Sequence, residues 1–187
     1  MAAPADDLRA RALRLLARRE YSRQELAKKL LSKPAPRPTR PSNHGRHGAS
    51  EAFDTESFSE EVYEPPTERE VDALLDDLEQ HKMLSDTRYA EMRTRVRAPR
   101  YGDSRLRQEL AQKGIDRETI DAVIAEQPSE YARCHEVWLK KFGQLPQDMS
   151  DRGRQTRYLA TRGFAMRIIQ QVLRGDGCEG LDPNPAS

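Results

Sequence analysis

One phrase is written twice in this chain, as "YSRQELAKKLLSK" from residue 21 and as "YGDSRLRQELAQKG" from residue 101. Aligning Tyr21 with Tyr101 places Leu26 on Leu106, Leu30 on Leu110 and Lys33 on Lys113, a constant step of 80 residues. A third copy follows at a step of 49: Leu110 falls on Leu159, Lys113 on Arg162, Gly114 on Gly163 and Ile115 on Phe164. The segments "VDALL" (71–75), "IDAVI" (120–124) and "IQQVL" (169–173) keep that step of 49. Self-similarity at a fixed period marks an array of small supersecondary modules, so this chain is constrained to a repeat architecture before any other feature is considered.

The two steps differ by 31 residues, and the stretch 34–64, "PAPRPTRPSNHGRHGASEAFDTESFSEEVYE", has that length. Rich in Pro, Gly, Ser and acid, it has hydrophobic residues too scattered to bury and reads as a disordered insertion at about 34–65. Lengthening a connection to thirty-odd residues costs only about 2 kcal/mol of loop-closure entropy, so the first repeat tolerates it. The acidic half carries Phe53, Phe58 and Tyr63. That is the composition of a short recognition motif, although a plain spacer is the favoured reading.

Within each copy the local chemistry is helical. Ser22 with Glu25 spells a capping box, and Tyr21 with Leu26 a hydrophobic staple. Tyr101 and Leu106 repeat the staple around Gly102, Leu106 and Leu110 share one helical face, and Gly114 supplies a left-handed stop. Thr67 with Glu70 spells a second capping box ahead of Val71, Leu74, Leu75 and Leu78. The pattern predicts helices over 7–20, 23–32, 68–82, 86–98, 104–113, 117–126, 129–142, 151–162 and 165–174. Pro99, Pro128 and Pro146 fall at predicted boundaries. The fold class expected is all-α: an elongated array of three tandem three-helix repeats spanning 1–86, 87–128 and 129–174, with a flexible tail at 175–187. Each repeat is expected to cover its neighbour's apolar face. Hydrophobic residues make up 36% and charged residues 34%, a ratio that suits small amphipathic helices with wide solvated faces.

Net charge is only +1, yet it alternates along the chain. Residues 1–33 carry nine basic and four acidic groups, 87–115 eight and three, and 137–174 eight and two. The third helices are the reverse, with two basic and seven acidic groups in 66–86 and two and six in 116–136. A basic stripe of Arg93, Arg95, Arg97, Arg100, Arg105 and Arg107 is suited to phosphates or to an acidic protein groove. Tyr101, Gly102, Lys113 and, in the third repeat, Arg154, Arg157 and Arg162 complete the candidate partner or nucleic-acid surface. Taken singly, each arginine is accounted for by a solvated helix face and a Glu at i+4.

No phosphate-cradling loop, His-Glu-x-x-His, Gly-x-Ser-x-Gly or dinucleotide turn occurs, so a binding protein without cofactor is expected rather than an enzyme. Cys134 beside His135 lacks an orienting third group and reads as a structural cysteine. His44 and His47 sit in the insertion without further ligands and read as polar linker, not metal site. Trp138 and Tyr89, one step of 49 apart, read as a shared core contact. With no run approaching the about 18 apolar residues of a membrane span, no signal-peptide pattern and only two cysteines, a cytoplasmic protein is expected.

The segments "ALRLLARREYSRQELAKKLLSK" (12–33), "LLDDLEQHKMLSDTRYAEMRTR" (74–95), "RYGDSRLRQELAQKGID" (100–116) and "RYLATRGFAMRIIQQVL" (157–173) resemble the RecX regulatory proteins, bacterial modulators of the RecA recombinase. The resemblance implies a crescent of three-helix repeats lying in the groove of the RecA filament on single-stranded DNA. It further implies inhibition of ATP hydrolysis, strand exchange and co-protease action, and so a place in DNA repair and the SOS response. It carries Tyr101, Gly102, Arg105, Arg107 and Lys113 over as motif residues. Typical members run directly from the second to the third helix of the first repeat, with a glycine where this chain has Pro34. The partners expected are the RecA filament and sequence-independent single- or double-stranded DNA, for a monomer. The rival reading is a helix-turn-helix transcription regulator, which would use one basic helix and a dimer interface rather than three copies.

Overall fold

The computed structural model describes residues 4–32 and 65–175. Among them are nine α-helices, one 3-10 turn and no strand. The first repeat holds α1 (Pro4–Leu16), α2 (Arg23–Leu31) and α3 (Glu68–Gln80); the second α4 (Asp86–Arg97), α5 (Asp103–Ala111) and α6 (Arg117–Ala125); the third α7 (Glu130–Lys141), α8 (Met149–Ala160) and α9 (Met166–Arg174). The 3-10 turn, Ala98–Arg100, joins α4 to α5. The fold is the expected all-α array of three-helix repeats. The insertion with His44 and His47, and Cys178 in the tail, lie outside the described residues.

Helix starts follow the side chains that can accept from orphan amides. Ser22, Thr67, Ser85, Asp116, Ser129 and Asp148 each accept from the backbone N–H three residues on. Thr67 and Glu70 form the reciprocal box expected of them. Asp148 moves the start of α8 two residues ahead of the expected Asp151. At α2 the expected box is only half made, because Glu25 turns to Arg19 and Lys113 instead of back to Ser22. The chain leaves α1 at Leu16 rather than at Glu20, which frees Arg19 to stack on Tyr21 and Glu20 to accept from Arg88.

Each repeat encloses a core of its own. Leu26 and Leu30 meet Val71, Leu75 and Leu78 in the first; Leu106 and Leu110 meet Ile120, Val123 and Ile124 in the second; Leu159 and Phe164 meet Ile168, Ile169 and Val172 in the third. The packing of α2 on α3 survives the insertion between them. The expectation that apolar faces are covered by the next repeat is therefore corrected: with a third helix folded back on its own second helix, little apolar surface is left for a neighbour, and the junctions are polar.

The junctions recur. Ser22 Oγ donates to Lys113 O at 2.7 Å, and Gly102, the residue matching Ser22, donates its N–H to Arg162 O at 2.9 Å. Asp86 in the first turn of α4 accepts from Arg23 N at 2.7 Å, and Glu130 in the first turn of α7 accepts from Asp103 N at 3.1 Å. Glu130 also accepts from Ala165 N, so one carboxylate serves α5 and α9, the two helices described without a side-chain cap of their own apart from α1.

The period is not uniform. Third helices start 49 residues apart (117 and 166), whereas first helices start 44 apart (86 and 130); the difference is taken up by a longer α7 to α8 connection, 142–148 against 98–102, and by a longer α8, 12 residues against 9 in α5. Tyr89 and Trp138, 49 apart, are thus not equivalent positions, although both are core: Tyr89 packs in the second repeat, and Trp138 in the third donates Nε1–H to the buried Gln155 at 2.7 Å.

Candidate functional site

Five of the twelve sequence-selected residues, Arg93, Arg97, Tyr101, Gly102 and Arg105, converge where α4, the 3-10 turn and α5 form a corner. Arg93 and Arg97 are four apart on α4 and share a face. Glu109 on α5 lies opposite, accepting from Arg97 through both Nε and Nη2, from Arg105 Nε at 3.4 Å, and pairing with Arg93 at 3.7 Å. Three guanidiniums around one carboxylate leave the corner positive. The hydrogen bonds from Arg97, aided by Arg105 and Arg93 and opposed by burial, hold the Glu109 carboxyl below its ordinary range, and Glu109 in turn raises Arg97.

Tyr101, at the exit of the 3-10 turn, is bracketed by the same arginines, with Arg97 at 4.2 Å and Arg105 at 4.7 Å from its ring centroid. Arg105 Nη1 also donates to Thr161 O at 3.1 Å, crossing to the end of α8. A shallow cleft of about 550 Å³ opens there, lined by Ser104, Arg105, Gln108, Glu109, Gln112 and Thr161. Gly102 is buried at this crossing, and a β-carbon on it would stand 2.2 Å from Gly163 O.

The other candidates are dispersed. Arg107 pairs with Asp121 of α6 at 3.0 Å, on a different side of α5 from Arg105. Lys113 sits at the first junction, 3.4 Å from Glu25. Burial favours a proton on Glu25, but Arg19 and Lys113 outweigh it and keep its carboxyl below the ordinary value. Arg95 and Arg100 are exposed. In the third repeat Arg154 pairs with Asp151 at 2.5 Å, Arg157 is exposed, and Arg162 stacks on Tyr158 at 4.2 Å.

Sequence reading missed Arg133, Glu130 and Arg19. Arg133 is 5% exposed and holds the corner from beneath, donating to Ala98 O, Tyr101 O, Pro128 O and Asp103. Its signal was hidden because α7 falls in an acidic stretch and its step from α4 is 44 rather than 49. Among the described residues no cluster of His, Cys, Asp and Glu could hold a metal ion, and no helix is long and apolar enough to cross a membrane. Cys134 is fully buried, its thiol pushed up to about 12 by desolvation, and His135 stacks on Tyr131, so the pair offers no thiolate.

The three repeats match, in order, the family models for the first (residues 9–36), second (85–124) and third (129–173) three-helix domains of RecX. The regulatory protein RecX of Chromobacterium violaceum is 37% identical over 175 residues, 94% of each chain. That of Pseudomonas entomophila is 39% identical over 171 residues, 90% of each chain. The crystal structure of RecX from Lactobacillus salivarius superposes with a TM-score of 0.63 at 16% identity, covering 91% of this chain and 95% of that one, and so shares the fold. With three matching repeats in the right order and relatives aligned over nearly their whole length, this chain belongs to the RecX family of regulatory proteins.

Proposed function

We propose that this chain is a non-catalytic cytoplasmic regulator that binds, as a monomer, the RecA recombinase filament on single-stranded DNA. There it inhibits ATP hydrolysis, strand exchange and co-protease activity, modulating DNA repair and the SOS response. The observation that carries this reading is membership of the family through all three repeats. The geometry supports it: two recurring junctions make a modular array whose length suits an extended partner, and the Arg93–Arg97–Arg105 corner supplies excess positive charge for an acidic groove. Arg95, Arg100 and Arg157 are exposed outside the corner, and Arg107, Arg154 and Arg162 also lie off it.

The helix-turn-helix alternative gains nothing from the junctions. A recognition helix presents its N-terminal residues to base edges, whereas the N-termini of α2 and α5 are capped by Asp86 and Glu130 from the following repeat.

The test is the single-stranded-DNA-dependent ATP hydrolysis of the cognate recombinase with this protein added below one copy per recombinase subunit. Strong inhibition is expected. Unchanged hydrolysis at stoichiometric amounts removes the reading, and a strong preference for one duplex operator replaces it with transcriptional control.

A further inference from the structure

Two departures from the repeat, each made once, complement one another. The first is on α4. The buried Ala12, Ala90 and Cys134 align the three first helices at steps of 78 and 44. In that alignment Met92 stands where the others carry Arg14 and Glu136, and Val96 where they carry Arg18 and Lys140. Met92 is 38% exposed and Val96 66%. Four apart, they share a face, about 200° round the helix from the buried Ala90 and Thr94. Among the described residues they are the one pair of exposed large hydrophobics spaced this way within a helix. A β-branched valine facing water gains nothing from burial and loses rotamer freedom in a helix, so the fold does not call for it.

Cations flank the pair. Arg95, three residues beyond Met92, and Arg100, four beyond Val96, are exposed and make no ion pair among the described residues. Neighbouring arginines are already served: Arg93, Arg97 and Arg105 by Glu109, Arg88 by Glu20, and Arg107 by Asp121. The outer face of α4 thus lacks both an apolar cover and carboxylates.

The second departure is the insertion, and its acidic half has what the face lacks. Residues 51–64, outside the described residues, hold six carboxylates, no basic group, and Phe53, Phe58 and Tyr63 at intervals of five. We propose that this segment binds the outer face of α4 as an intrachain ligand, with phenylalanine on Met92 and Val96 and carboxylates on Arg95 and Arg100. Reach permits it. Arg23 ties Asp76 and Glu79, late in α3, to Asp86 at the start of α4. The way from Glu68 to Met92 is therefore about 17 Å along α3, one arginine across, and about 9 Å along α4. The 15 residues from Phe53 to Glu68 span up to about 50 Å. Tethering supplies an effective concentration in the millimolar range, at which a small patch of two apolar anchors and two cations is enough. Any acidic partner of Arg95 and Arg100 must first displace the segment. The contact itself does not rest on the filament reading.

The test is methyl NMR of the full chain carrying isotope-labelled methionine, set against the Phe53→Ser/Phe58→Ser variant. Neither phenylalanine belongs to the three cores, and circular dichroism checks that helicity is kept. Ring currents of a docked phenylalanine displace the Met92 methyl resonance, so the variant should move it while Met149 and Met166 in the third repeat stay fixed. Arg95→Gln/Arg100→Gln should move Met92 in the same direction, as should salt at about 1 M, where the screening length falls to about 3 Å. A Met92 resonance identical in the full chain and the phenylalanine variant overturns the inference, and so does an effect confined to Met149 or Met166. A displacement that disappears when the unaltered chain is diluted assigns the face to a second copy and equally overturns it. If Met92 is unmoved but Met92→Ser/Val96→Ser loses inhibition of the recombinase, the face takes a protein partner directly: the inference falls and the filament reading stands. If Met92 moves and the unaltered chain does not inhibit, the filament reading falls and the inference stands.

Discussion

A methyl group at Gly102 has nowhere to go: it would stand 2.2 Å from Gly163 O and 2.4 Å from Phe164 Cα, both backbone. Gly163 combines a φ of 81° with a would-be β-carbon 2.5 Å from Arg105 Cβ. Gly102→Ala should therefore cost about 1 to 3 kcal/mol in urea unfolding as an overpacked junction. Gly153→Ala, inside α8 with nothing within 4 Å, should gain about 0.5 to 1 kcal/mol. At Glu109 the folded carboxyl lies below the ordinary 4.5, so its contribution is present above that value and is lost as pH falls through the depressed one. Glu109→Gln should flatten the loss of melting temperature on acidification below about pH 4.5. Asp86 has the opposite sign. Burial raises its carboxyl above 3.8, against the opposing bond from Arg23 N, so its ionisation weakens the fold as pH rises through the raised value. Asp86→Asn keeps an acceptor for Arg23 N and should melt higher than the unaltered chain at pH 7.

The second helix of each of the first two repeats has three duties at once, and single substitutions separate them. Its buried face is Leu106 and Leu110 in α5, both 2% exposed. Leu110→Ala should cost about 2 to 5 kcal/mol and lower helicity near the transition. Its flanks carry charge. Arg107 and Asp121 are about half exposed, so Arg107→Ala should change stability by no more than about 1 kcal/mol. Arg105→Ala should be similarly mild in melting yet weaken binding to the filament, because Arg105 belongs to the corner and to the junction while Arg107 faces α6. Equal losses of binding from the two variants would contradict that division. Its N-terminus is the third duty, supplied with acceptors by the next repeat, which is why α5 does without a capping side chain of its own.

Across the whole molecule, three separate cores joined by polar junctions explain how the chain accommodates residues 33–64 between α2 and α3. Closing a long loop costs little once Leu26 and Leu30 have met Val71 and Leu75, and no neighbouring repeat depends on that connection for its own core. The same modularity lets the first-helix spacing shorten from the general step without disturbing the third repeat, since the extra residues fall in the α7 to α8 connection and in a longer α8.

The sequence by itself determined the helices, their order and the leucines at their centre, because caps, staples and 3.6-residue periodicity are local and every repeat states them again. It also pointed to the arginine corner, since Arg93, Arg97 and Arg105 are close along the chain. Only the tertiary structure decided what glycine and acid do at the junctions. Gly102 against Gly163, Glu130 spanning two helix ends and the buried Arg133 beneath Tyr101 are contacts between residues some 27 to 61 positions apart, read from 102, 103, 130, 133 and 163. Their pairing follows from how one repeat docks on the next, and no local pattern encodes it.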